Sequence, residues 1–161
     1  MNQSNLEHEQ LLKLKKHCYK QAEERFRGKA FFNIDRQTYI HVSKVGLDEW
    51  YSKSKSMEQI ISICWLNKIL EKAKYTHSAE NKHKNDRSGA FFDYFECRVE
   101  YKEKEYAAII SIRNIPDRTI RKRIYYHHYL SDIKIESPST LSRQSPEESD
   151  VVLLDDSCVP R

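Results

Sequence analysis

The sequence predicts a small α+β fold: a twisted antiparallel sheet with one buried helix and an N-terminal helix. Three observations predict it. Residues 91–101 alternate, with Phe95, Cys97, Val99 and Tyr101 on one side and Glu96, Arg98 and Glu100 on the other, the period of a half-buried strand. Residues 106–112 are apolar on both sides apart from Ser111, as in a central strand covered on both faces. Between the early and late strand patterns, Ile60, Ile61, Cys64, Trp65, Leu66, Ile69, Leu70 and Ala73 cover more than half of a helix, which must then pack on the sheet.

Taken in order, residues 4–27 read as a helix. Ser4-Asn5-Leu6-Glu7 fits a capping box, Leu11, Leu14, Cys18, Ala22 and Phe26 form one apolar stripe, and Gly28 stops it. Residues 30–34 and 38–45 read as two strands joined by Asp35-Arg36-Gln37, the second ending at Gly46. Residues 47–51 read as a short helical turn or loop. Ser56-Met57-Glu58-Gln59 is a second capping box and opens the buried helix, which runs to about Lys74. Residues 75–89 carry turn formers, lysines and two histidines without periodicity, so they read as a loop. The meander follows. Residues 102–105 form a charged reversal without the Asn-Gly that favours a two-residue turn. Ile115-Pro116-Asp117 breaks the ladder, and the third strand carries His127 and His128. From Ser137 the chain is rich in Ser, Pro and charge, which predicts a disordered acidic tail over 137–161, although residues 151–154 are an apolar run able to dock.

At 161 residues the chain makes one domain with tails: a helix over 1–28, an α+β body over 29–136 and the tail. Residues 1–136 hold 26 Lys/Arg and 19 Asp/Glu, a net +7, whereas 137–161 hold two Arg and five acids, a net −3. A basic body admits a polyanion partner. No apolar run approaches the ~20 residues of a membrane span, and the polar N-terminus has no signal-peptide pattern, so no membrane is expected. Cys18, Cys64, Cys97 and Cys158 are widely spaced with no CxxC pair. That predicts reduced, mostly buried thiols in a cytosol, with no zinc site, no disulfide framework and no cofactor. The sequence contains no P-loop, GxGxxG, nucleophile elbow or HExxH.

The succession IHVSKVGLDEW, WLNKILEKAKY, HSAENKHKND, FFDYFECRVEYKEKEYAAIISIRN and YYHHYLSDIKI resembles a nuclease module of phage-derived polyvalent proteins and MuF-type toxins, in the barnase–EndoU–colicin–RelE-like group. The resemblance spans residues 29–136 and departs from the pattern at two turns, 102–105 and IPDRTIRKR. It implies a barnase-like fold and metal-independent cleavage of RNA. A base takes the ribose 2′-OH proton, the oxygen attacks the adjacent phosphate, an acid protonates the leaving oxygen and cations steady the phosphorane. The residues suited to these roles are His127, His128, Arg113, His83 and Glu49 for catalysis, with Lys82, His77, Ser111 and Tyr126 for substrate. Strand alternation puts His127 and His128 on opposite faces, so one packs while the other faces a site. Each residue also has a plainer reading: Arg113 as an ion-pair partner of Glu96, Glu100 or Asp132, Glu49 as a helix-start acid, the histidines as packing among tyrosines. The expected partners are RNA and an immunity protein, in the cytoplasm or in a bacterial host cell reached by delivery. The competing expectation is a non-enzymatic RNA- or protein-binding module of the same fold, a decayed prophage remnant.

Overall fold

The computed structural model describes residues 3–80, 91–116, 121–133 and 150–159, and its architecture is α+β as expected. Its elements are helix α1 (Gln3–Phe26), strands β1 (Ala30–Asn33) and β2 (Thr38–Val42), helices α2 (Lys44–Lys53), α3 (Met57–Ser62) and α4 (Leu66–Lys72), and strands β3 (Lys74–Glu80), β4 (Phe91–Tyr101), β5 (Lys104–Pro116), β6 (Arg121–Asp132) and β7 (Val151–Leu154). The sheet order is β1-β2-β6-β5-β4-β3, with β7 on β4. The expected meander is β4-β5-β6. Its first turn is the pair Lys102 and Glu103, both with positive φ (50° and 67°) as a two-residue hairpin of the primed type demands, here without glycine.

The sheet is mixed, not purely antiparallel. β2 runs parallel to β6 through His41↔Ile124 and Val42↔Tyr125, and β7 runs parallel to β4. One edge of β4 is shared: β3 pairs with its first half, Phe91 to Glu96, and β7 with Arg98 to Tyr101. Lys74 and Asp150, at the starts of β3 and β7, form an ion pair at 3.4 Å. Two expectations are corrected here. The loop read over 75–89 begins as strand β3, whose largely exposed side chains leave no periodicity to read. The tail expected to be disordered over 137–161 holds strand β7 at the apolar run 151–154, which docks as that run allowed, with Val152 2% and Leu154 6% exposed.

The buried helix is broken in two. Ser56 caps α3 by accepting from the Gln59 N–H at 3.3 Å, and a 3-10 turn at Ile63–Trp65 separates α3 from α4. This layer lies on the inner sheet face, against Phe95, Cys97, Val99, Ile110 and Ile112, and α1 packs over it through Leu14, Cys18, Ala22 and Phe26. Asn33 closes the end of α4 by donating to the Leu70 and Ala73 carbonyls at 2.8 and 2.7 Å, which would otherwise be orphaned. The outer face stays half-exposed, so β5 is covered by helices on one side and not on both.

α2 is a full helix and not a short turn, and Gly46 lies inside it instead of ending a strand. A Cβ at Gly46 would stand 2.2 Å from the Tyr125 carbonyl oxygen, so glycine is what lets α2 press against β6. Beyond Tyr125, β6 has lost its partner β2. Gln59 stands in for a strand there: its Nε2 donates to the His128 carbonyl at 2.6 Å, and its Oε1 accepts from the Leu130 N–H at 2.7 Å. Gln59→Met keeps the volume and orphans both groups, which is expected to cost about 3 kcal/mol. Urea unfolding measures this, and a loss below about 1 kcal/mol would contradict the edge-capping role.

Candidate functional site: an aromatic and histidine-bearing sheet face

Strand register assembles one row of side chains across the outer face. His77 of β3 pairs with Tyr94 of β4, Tyr94 with Ser111 of β5, and Ser111 with His127 of β6. The adjacent row holds Phe92 and Arg113, with Ile124 beyond. The register slips between Ser111 and Ile112, leaving Tyr126 as a bulge in β6. Such an extra residue re-aims its neighbours. Tyr126 and His127 therefore both serve the outer face, where the Tyr126 ring meets Phe92 edge-on at 5.2 Å, while Tyr125 and His128 both turn inward. His77 stacks on Tyr94 at 4.8 Å, and His127 on Tyr129 at 6.0 Å.

α2 supplies the border. Lys53 lies 5.8 Å from the Tyr126 ring and forms an ion pair with Glu49 at 3.1 Å. Both act on His127. Burial of the ring and then the Lys53 charge push its pKa down to about 4, with Glu49 partly opposing them, so His127 is neutral at pH 7.

His128 belongs to the core. It is fully buried, with Nε2 2.7 Å from Ser62 Oγ and Nδ1 2.6 Å from the Tyr125 hydroxyl. The Ser62 hydroxyl already donates to the Gln59 carbonyl at 2.6 Å, so it accepts from Nε2–H, and Tyr125 donates to Nδ1. That network fixes the neutral tautomer, and burial, aided by His127, lowers the pKa to about 3. With both nitrogens committed, His128 reaches no ligand, which corrects its place among the catalytic candidates. Its ionisation has a consequence for stability. The folded pKa lies below the ordinary 6.5, so below pH 6.5 the unfolded chain takes up a proton that the folded chain refuses. Stability is full above about 6.5 and is expected to fall by up to about 1.4 kcal/mol per pH unit toward pH 3 through this residue alone. A His128→Gln variant should show a shallower slope of unfolding free energy between pH 6.5 and 4. An unchanged slope would contradict the assignment.

Of the residues singled out from sequence, the fold brings His127, Ser111, Arg113, Tyr126 and His77 onto one face, with Glu49 at its border. His77 lies in strand β3 rather than a mobile loop. It is three strand spacings from His127, roughly 14 Å. Glu49 sits inside α2 and not at its start. Lys82 and His83 lie outside the described residues. Phe92, Tyr94, Tyr129 and Lys53 complete the face and were missed. Phe92 and Tyr94 share the parity of Glu96, so alternation held their signal. Lys53 had none, because its place depends on how α2 docks.

The fold and this face define an α+β module with an open, ring-studded sheet surface. The chain belongs to the large polyvalent protein-associated domain 3 family, whose profile matches residues 9–126, more than half of its length. The match runs from within α1 to Tyr126, one residue short of His127. The family's name agrees with the polyvalent-protein side of the resemblance and specifies no chemistry. No curated protein and no solved structure matches the chain. Among the described residues, no helix is long and apolar enough to cross a membrane.

Proposed function

We propose that this chain is an RNA-directed module whose outer sheet face holds a single strand against a row of rings. The observation that carries the reading is the His77–Tyr94–Ser111–His127 row with Phe92, Tyr126 and Tyr129 around it. Unpaired bases stack on rings presented by an open sheet, and duplexes do not, because their bases are already stacked on each other. Arg113 on the face and Lys53 at its border provide positive charge, within a body of net +7 over residues 1–136. Fluorescence anisotropy should therefore give tighter binding to single-stranded RNA than to duplex RNA, and an affinity falling steeply from low to physiological salt as phosphate contacts release counterions. Equal binding to both forms, or an affinity that hardly changes with salt, would count against it.

A specific arrangement favours a second reading, cleavage of the bound strand. In that reading His127, neutral at pH 7, serves as the base for a ribose 2′-OH, and Arg113 on the neighbouring strand and Lys53 on α2 steady the phosphorane charge. A base works only when unprotonated, so the rate should hold from neutral pH downward and fall through about pH 4. Incubation with total RNA or tRNA in EDTA, scored for cyclic-phosphate ends, tests it. An absence of new ends across a broad RNA panel leaves the binding reading and removes this one.

A further inference from the structure

The fold gathers three of the four cysteines that the sequence scatters. Cys18 of α1 is 0% exposed and Cys64 of the 3-10 turn between α3 and α4 is 3% exposed. Cys158, in a 3-10 turn at Asp156–Cys158 that follows β7, is half-buried. Their sulfurs all lie within 4.8 Å of one another, and all are free thiols. Cys97 on β4 is not part of the group.

Cys158 is held in place by several contacts. His17 Nε2 donates to its carbonyl at 2.8 Å, and Asp155 Oδ1 accepts from the Ser157 N–H at 2.8 Å. The Tyr101 hydroxyl donates to Asp156 Oδ1 at 2.7 Å. The turn is thus clipped both to α1 and to β4.

We propose that Cys18, Cys64 and Cys158 form a binding site for a thiophilic ion of the zinc class, which fastens the C-terminal strand to the helical layers. A disulfide would use two thiols and strand the third, whereas three mutually adjacent sulfurs match a three-donor face. Zinc–sulfur bonds of about 2.3 Å in a tetrahedron put sulfurs roughly 3.8 Å apart, so a trio within 4.8 Å needs to contract by about 1 Å at most. Binding releases one proton from each thiol as three zinc–sulfur bonds form, and the resulting trithiolate complex carries one negative charge. Water would complete a fourth, tetrahedral position. Soft thiolates favour zinc and copper(I) over magnesium or calcium. The signal is invisible in the sequence because the ligands come from three elements without local spacing.

The test uses the full chain, reduced with a phosphine and stripped by chelation, then titrated with Co²⁺. About one equivalent should bind, with a sulfur-to-cobalt charge-transfer band and the intense visible bands of tetrahedral cobalt, all displaced by Zn²⁺. Zinc should also raise the melting temperature. Cys158→Ser, a change at a half-exposed position, should lose the bands and the zinc-dependent shift, and Cys97→Ser should keep both. Reduced wild-type protein with its thiols intact but no cobalt bands overturns the proposal. Bands that survive unchanged in Cys158→Ser overturn it equally.

Discussion

If the chain cleaves RNA as in the second proposed reading, replacing His127 with Ala is expected to slow that cleavage by about 10²–10⁴-fold, the usual contribution of a positioned acid or base. Thermal unfolding should change little, because His127 is only half-buried on the outer face. His128→Ala should do the opposite. It removes the partner of the Ser62 and Tyr125 hydroxyls inside the core, which is expected to cost about 2–4 kcal/mol, with activity kept in whatever stays folded. Adjacent strand residues face opposite ways, and the bulge at Tyr126 preserves that relation for this pair while turning Tyr125 inward beside His128. Equal cleavage by both variants and the wild type would remove His127 from any catalytic role. Loss of activity in His128→Ala protein that is fully folded would reverse the assignment.

Truncation after residue 136 is expected to destabilise the protein substantially. It removes β7, whose Val152 and Leu154 are 2% and 6% exposed, and each such side chain contributes about 1.5–3 kcal/mol by burial. It also strips the edge of β4 from Arg98 to Tyr101 and the acceptor of the Tyr101 hydroxyl. The melting temperature should fall by roughly 6–24 °C, at about 2–4 °C per kcal/mol for a chain of this size. A change of about 2 °C or less would mean that β7 contributes nothing to the core. Leu154→Ala separates this packing from the effect of deletion, with an expected loss of about 2–4 kcal/mol.

Strong local periodicity made much of the fold legible. The alternation of Phe95, Cys97, Val99 and Tyr101 placed β4, and the wide apolar arc from Ile60 to Ala73 placed the helical layer under it. The stripe on α1 was readable because Leu14, Cys18, Ala22 and Phe26 recur on one face. What stayed hidden depends on tertiary pairing. β3 is mostly exposed and has no apolar rhythm. The parallel joins of β2 with β6 and of β7 with β4 link segments far apart in the chain, and four-residue β7 is too short to announce a strand. Gly46 looked like a stop, because its close approach to Tyr125 exists only once α2 has docked.

The site divides the same way. Ser111, Arg113 and His127 were readable from parity within the meander, and Glu49 and Tyr126 join them through docking and a bulge. His128 was separable from His127 by face but not by role. Its neutral state depends on Ser62, Gln59 and Tyr125, and the first two lie on the helical layer.

The most direct test of the proposed RNA-binding face is the affinity of Tyr94→Ala for single-stranded RNA. Tyr94 lies mid-row, between His77 and Ser111. If bases stack there, its loss should weaken binding by about 1–3 kcal/mol, roughly 5- to 150-fold, with melting temperature and salt dependence largely preserved. Wild-type affinity in a correctly folded Tyr94→Ala protein would contradict the claim that this face holds the strand.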